Sequence, residues 1–92
     1  MAEKTSPFDL MEYPCAYSFK IFTNRRDLAE FEVEMTDCAR QCADSGPPEF
    51  QRRSSSAGNY TCFTMTIQVQ GKGQIEALYQ SLRRLHGVCY LL

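Results

Sequence analysis

Between residues 60 and 69 apolar and polar side chains alternate: Phe63, Met65, Ile67 and Val69 fall on one side, and Cys62, Thr64, Thr66 and Gln68 on the other. A period of two is the signature of a strand with one buried face and one wetter face. The same alternation in Tyr17-Ser18-Phe19-Lys20-Ile21-Phe22 predicts an earlier strand, with Tyr17, Phe19 and Ile21 inward. In front of the longer strand, the polar run Ser54-Ser55-Ser56-Ala57-Gly58-Asn59 has turn chemistry. Roughly Glu49 to Arg53 therefore forms a short strand paired with it as a hairpin. Val88-Cys89-Tyr90-Leu91-Leu92 ends the chain as a fourth strand.

Elsewhere the period lengthens. Leu28, Phe31, Met35, Cys38 and Cys42 recur at steps of three and four, one stripe of a helix from about Arg25 to Ala43. Asn24 is the expected N-cap, with Asp27 three residues on to reach back. Gly46 and Pro47-Pro48 stop the helix. Ile75, Leu78, Tyr79, Leu82 and Leu85 form the stripe of a second helix from about Gln74 to Leu85, with Glu76 near its positive end and Gly87 closing it.

The order is βαββαβ. Right-handed crossovers turn it into an α+β, ferredoxin-like sandwich: an antiparallel four-stranded sheet in order 4-1-3-2 with two helices on one face. The other face is left to Ser18, Lys20, Phe22, Cys62, Thr64, Thr66, Cys89 and Leu91. Their mixed character and the two open sheet edges fit a homodimer contact.

Composition narrows the class without naming a function. Ninety-two residues make one domain, with 1–12 expected as a flexible arm and 13–92 as the domain. Apolar residues at 43% and charged residues at 23% are ordinary globular values, which excludes a disordered or fibrous chain. A formal net charge of -1 gives no overall attraction to nucleic acid or anionic lipid, so any such binding is local. Five cysteines are an odd set, and Met1-Ala2-Glu3-Lys4 leads into no apolar run of signal-peptide length. The expectation is a cytoplasmic, reduced chain with no membrane span.

Three arginine pairs carry the candidate chemistry: Arg25-Arg26, Arg52-Arg53 and Arg83-Arg84. The topology sends all three to one end of the sandwich. Guanidinium groups there suit a phosphate or carboxylate, which arginine grips with two parallel hydrogen bonds. Phe22 and Tyr60 belong beside that end on the open sheet face, where aromatic rings stack a nucleobase in RNA-binding domains of the same topology. An RNP1 pattern is missing, and Cys62, Thr64 and Thr66 stand where an RNA platform places aromatics, so a single-stranded nucleic acid is the alternative partner rather than the first. Cys38 and Cys42, four apart, continue the core stripe and read as packing, so no metal is expected. His86 has no nucleophile motif around it and sits at a helix end, so no catalytic residue and no cofactor are assigned. Gly71-Lys72-Gly73 lacks the P-loop framework and reads as a strand-to-helix turn.

Taken in order, Glu12-Tyr13-Pro14, the strand ending Phe19-Lys20-Ile21, the Ser55-x-x-Gly58-Asn59-Tyr60 turn, the Ile75-Glu76-x-Leu78-Tyr79-x-x-Leu82 helix and a closing Val88-x-x-x-Leu92 resemble the YbeD-like small bacterial proteins. The resemblance spans most of the chain. It implies a fold similar to ACT regulatory domains and a non-enzymatic, regulatory role suggested for lipoate metabolism, and it carries no catalytic residues. Many relatives have a glycine after the first strand where this chain has Thr23-Asn24, a departure that argues against an amino-acid site of the ACT kind.

Overall fold

The structure, a computed structural model, describes residues 11–43 and 45–92. The elements follow as β1 (Cys15–Thr23), α1 (Leu28–Cys42), β2 (Glu49–Ser54), β3 (Thr61–Val69), α2 (Lys72–Arg83) and β4 (Val88–Leu91). They form one antiparallel sheet in order β2-β3-β1-β4, which is the expected 4-1-3-2 order read from the other edge. Of the expected arm, residues 1–10 lie outside the described residues, while Met11 packs against the core.

Both long alternations bury the face that their apolar residues define. Phe19 and Ile21 of β1 and Phe63, Met65, Ile67 and Val69 of β3 close against Phe31, Met35, Cys38 and Ala39 of α1 and Ile75, Leu78 and Leu82 of α2. Burying a large apolar side chain stabilises by roughly 1.5–3 kcal/mol, so these stripes are what hold the helices to one face. Cys38 and Cys42 are free thiols on the stripe, as packing required.

Three details depart from the expectation. α1 starts at Leu28, not near Arg25, and its N-cap is Asp27 rather than Asn24. The Asp27 carboxylate makes no cap hydrogen bond; each of its oxygens accepts a hydrogen bond from the Arg25 guanidinium instead. α2 begins two residues early, at Lys72, with Gln74 Oε1 accepting the Gln70 N–H at 2.7 Å and so tying the strand end to the first turn. Its last turn tightens instead of running on to Leu85: Leu85 N–H bonds the Leu82 carbonyl, and Gly87 turns the chain at φ +85°.

The third departure concerns β4. Phe22 pairs with Tyr90 but Thr23 pairs with Val88, so Cys89 is an extra residue opposite that step, a β-bulge. Past the bulge the alternation is reset. Leu91, expected on the open face, is partly buried against the core, and Tyr90 takes the open face instead.

Candidate ligand-binding face

The register lays the open side of the sheet out in rows. Arg53 of β2 stands beside Cys62 of β3, then Phe22 of β1, then Tyr90 of β4. One row along are Gln51, Thr64 and Lys20, and beyond it Glu49, Thr66 and Ser18. Ser18 Oγ and Thr66 Oγ1 are 2.8 Å apart in a cross-strand hydrogen bond.

Lys20, Gln51, Arg52, Arg53, Cys62 and Thr64 line a cleft of about 300 Å³. Three of the six carry positive charge and none is acidic. Among the described residues the ion pairs all belong to Arg25, so Lys20 and Arg53 face the cleft without a carboxylate, while Arg52, paired with the inward Phe63, borders it from the other face of the strand. Concentrating one sign of charge over a concave surface raises the local concentration of the opposite ion. Thr64 and Gln51 add a hydroxyl and an amide between the cations. The cleft offers an anion charge, hydrogen bonds and a planar arginine fork.

Next to it lies a cleft of different character. Phe22, Tyr60, Cys89 and Tyr90 line about 290 Å³ of mainly apolar space. The Phe22 and Tyr90 rings meet edge to face, centroids 6.3 Å apart at 76°. Tyr90 is 69% exposed and Tyr60 48%, an unusual outlay of aromatic surface on a domain this small. Phe22 and Tyr60 are thus together, as their positions in the strands implied. Tyr90 was missed, because its place on the open face depends on the bulge at Cys89.

The arginine pairs divide among separate clefts. Arg25 and Arg26 line one of about 400 Å³ with Thr23, Asn24, Leu28 and the Gly58-to-Thr61 turn, sharing Tyr60 with the aromatic corner. Arg52 and Arg53 line the cationic cleft, and Arg83 lines a shallow surface beside Tyr79, Leu91 and Leu92. Arg84 is the exposed C-cap of α2.

Arg25 and Arg26 differ sharply despite being adjacent. The Arg25 side chain is only 9% exposed. Its Nε and Nη2 donate to Asp27 at 2.9 and 2.6 Å, its Nη1 and Nη2 to Glu34 at 2.7 and 2.8 Å, and Nη1 also reaches the His86 carbonyl at 3.2 Å. The guanidinium carbon lies 4.9 Å from the centre of the Phe31 ring. Those hydrogen bonds, Asp27 first and Glu34 second, push its pKa up, while the Asp27 and Glu34 carboxyls are held below their ordinary values chiefly by the same contacts. Its donors are committed inside the protein. Arg26 is exposed, with no ion pair among the described residues.

Thr23, fully buried, completes the hub: its Oγ1 donates to the Gly87 carbonyl at 2.7 Å and accepts the Arg25 N–H at 3.1 Å. No spacing rule pointed to it. On the opposite flank, burial and the hydrogen bond to Tyr17, 2.7 Å between oxygens, push the Tyr79 pKa up. Among the described residues no cluster of three or more His, Cys, Asp or Glu is placed to hold a metal, and no helix is long and apolar enough to cross a membrane.

The class that this fold and open face define is a small ferredoxin-like α+β domain. Residues 9–92 match the family described as "Protein of unknown function (DUF493)", and the chain belongs to that family, the bacterial UPF0250 or YbeD-like proteins that its motifs resemble. It is 35% identical over 85 residues to a UPF0250 protein of Haemophilus ducreyi, covering 91% of this chain and 84% of that one. A UPF0250 protein of Shewanella sediminis is 35% identical over 81 residues, covering 87% and 88%. The solution structure of protein HP0495 from H. pylori superposes with a TM-score of 0.75 at 15% identity, covering 98% of both chains, a likeness of fold alone.

Proposed function

We propose that this domain is a non-enzymatic regulatory or interaction module that takes a small anionic metabolite, or the acidic group of a partner protein, on the open face of its sheet. The supporting observation is the cleft in which Lys20 and Arg53 flank Thr64 and Gln51 on the open face, with no carboxylate among the lining residues. Phosphates and carboxylates are the ligand chemistry such a lining recognises. The YbeD-like resemblance makes lipoate, itself a carboxylate, one ligand to try.

Titration of inorganic phosphate, acetate and lipoate into labelled protein, followed by amide chemical shifts, tests the reading. Shifts centred on Lys20, Gln51 and Thr64, weakened by added salt and lost in an Arg52→Ala/Arg53→Ala variant, are expected. Equal weak binding by the variant and the unaltered protein would remove the site.

A further inference from the structure

The cationic cleft and the aromatic corner are neighbours on one surface. Lys20 lines the first and Phe22 the second, and they lie two residues apart on the same face of β1, a Cα separation of about 6.6 Å. Across the strands, Arg53 and Phe22 are separated only by the strand bearing Cys62, about 10 Å in all. No residue lining either cleft is acidic.

Each cleft accepts a different half of a ligand. Two rings at 76° leave a corner in which a flat ring can lie against one face while the other ring's edge borders it, with Tyr60 on a further side. A plain anion uses the cations and leaves that corner empty. A purely apolar ligand fills the corner and leaves the charges of Lys20 and Arg53 unanswered.

We infer that the open face binds a mononucleotide or a similar heteroaromatic phosphate, its base seated in the Phe22, Tyr60 and Tyr90 corner and its phosphate held by Lys20 and Arg53. This rests on the reading of the cationic cleft as an anion site, and adds the ligand class. The two half-sites are separated by one strand spacing or two, which is the order of the distance between the base and the phosphate of a nucleotide. Stacking on aromatic side chains favours any base, so the preference is for the presence of a ring rather than for its identity.

The test compares adenosine monophosphate, uridine monophosphate and ribose 5-phosphate by calorimetry and amide shifts. Both nucleotides are expected to bind roughly ten-fold more tightly than the sugar phosphate. Tyr90→Ala, at an exposed position whose change leaves the core intact, should bring the nucleotides down to the level of ribose 5-phosphate and leave the latter unchanged. Arg53→Ala should weaken all three.

Equal binding of the nucleotides and the sugar phosphate would overturn the inference while leaving the anion site standing. No binding of any of the three, nor of inorganic phosphate, would remove both. A short oligothymidylate held far more tightly than thymidine monophosphate would replace the small ligand with a nucleic-acid strand and overturn the proposal. A dimer abolished by Tyr90→Ala, without any preference for nucleotides, would assign the corner to a second copy of the chain.

Discussion

The Cγ and Cδ of Arg25 lie against the backbone of Gly87, in the space a side chain at residue 87 would need. Sixty-two positions separate the two residues in sequence, yet each requires the other's form. Gly87 turns the chain at φ +85° and leaves room for the arginine stem, whose guanidinium reaches Asp27, Glu34 and the carbonyl of His86. The start of α1 is thereby fastened to the start of β4.

Gly87→Ala is therefore expected to cost more than a left-handed backbone alone. The conformational strain is roughly 1–2 kcal/mol, and displacing the Arg25 stem adds to it. Gly46→Ala is the matched comparison, since Gly46 has φ +91° with nothing within 4 Å of an added carbon. Urea unfolding should show Gly87→Ala the more destabilised of the two. Equal midpoints would mean that the contact with Arg25 yields at no cost.

The same cluster predicts an acid limb. Asp27 and Glu34 have folded pKa values below their ordinary 3.8 and 4.5, chiefly through hydrogen bonds from Arg25. A depressed folded pKa contributes stability that is present above the unfolded value and is lost as pH falls through the folded one. Stability should decline below about pH 4.5, and an Arg25→Met variant should decline less steeply there, measured by unfolding midpoints between pH 7 and pH 3. Parallel curves for the two proteins would contradict the assignment.

An alkaline limb has the opposite sign. Burial first, and the hydrogen bond to Tyr17 second, lift Tyr79 above its ordinary 10.0. A raised folded pKa contributes stability present below the unfolded value and lost as pH rises through the folded one. Absorbance titration should find a tyrosine ionising above the ordinary range, and Tyr79→Phe should remove that late step. A single step common to every tyrosine would refute it.

Thr23 supplies a further prediction. Thr23→Val keeps the shape but removes both a donor to the Gly87 carbonyl and an acceptor for the Arg25 N–H. Leaving buried polar groups without partners costs about 1–3 kcal/mol, to be read from denaturant unfolding at pH 7. Thr23→Ser, which retains the hydroxyl, should recover most of it.

The fold was legible because β1, β3, α1 and α2 each carry a long run of one apolar period, and the two periods assign inward faces independently of any contact. β4 offered no such signal. Val88, Cys89, Tyr90, Leu91 and Leu92 are all apolar, so alternation could not say which face Tyr90 takes, and the bulge at Cys89 that decides it depends on pairing with β1. The arginine pairs show the same limit in electrostatics. Arg25 and Arg26 are indistinguishable in sequence, but only the first comes within reach of Glu34, which the folded α1 carries seven residues beyond Asp27. The later start of α1 belongs to the same cluster: Asp27, expected inside the first turn, stands at the N-cap with its carboxylate on Arg25.

The cysteines offer a footprint of the open face. Cys89 is exposed beside the aromatic corner, Cys62 is half-buried in the cationic cleft, and Cys38 is in the core with its thiol pKa raised by burial. Thiol reactivity follows exposure and thiolate fraction, so labelling should proceed at Cys89 first, Cys62 next and Cys38 last. Inorganic phosphate in the cationic cleft should slow Cys62 alone, whereas a nucleotide spanning both clefts should slow Cys62 and Cys89 together. Mass spectrometry of partially labelled protein reads the two sites separately. Protection of Cys89 without Cys62 would place the ligand in the aromatic corner only, away from Lys20 and Arg53.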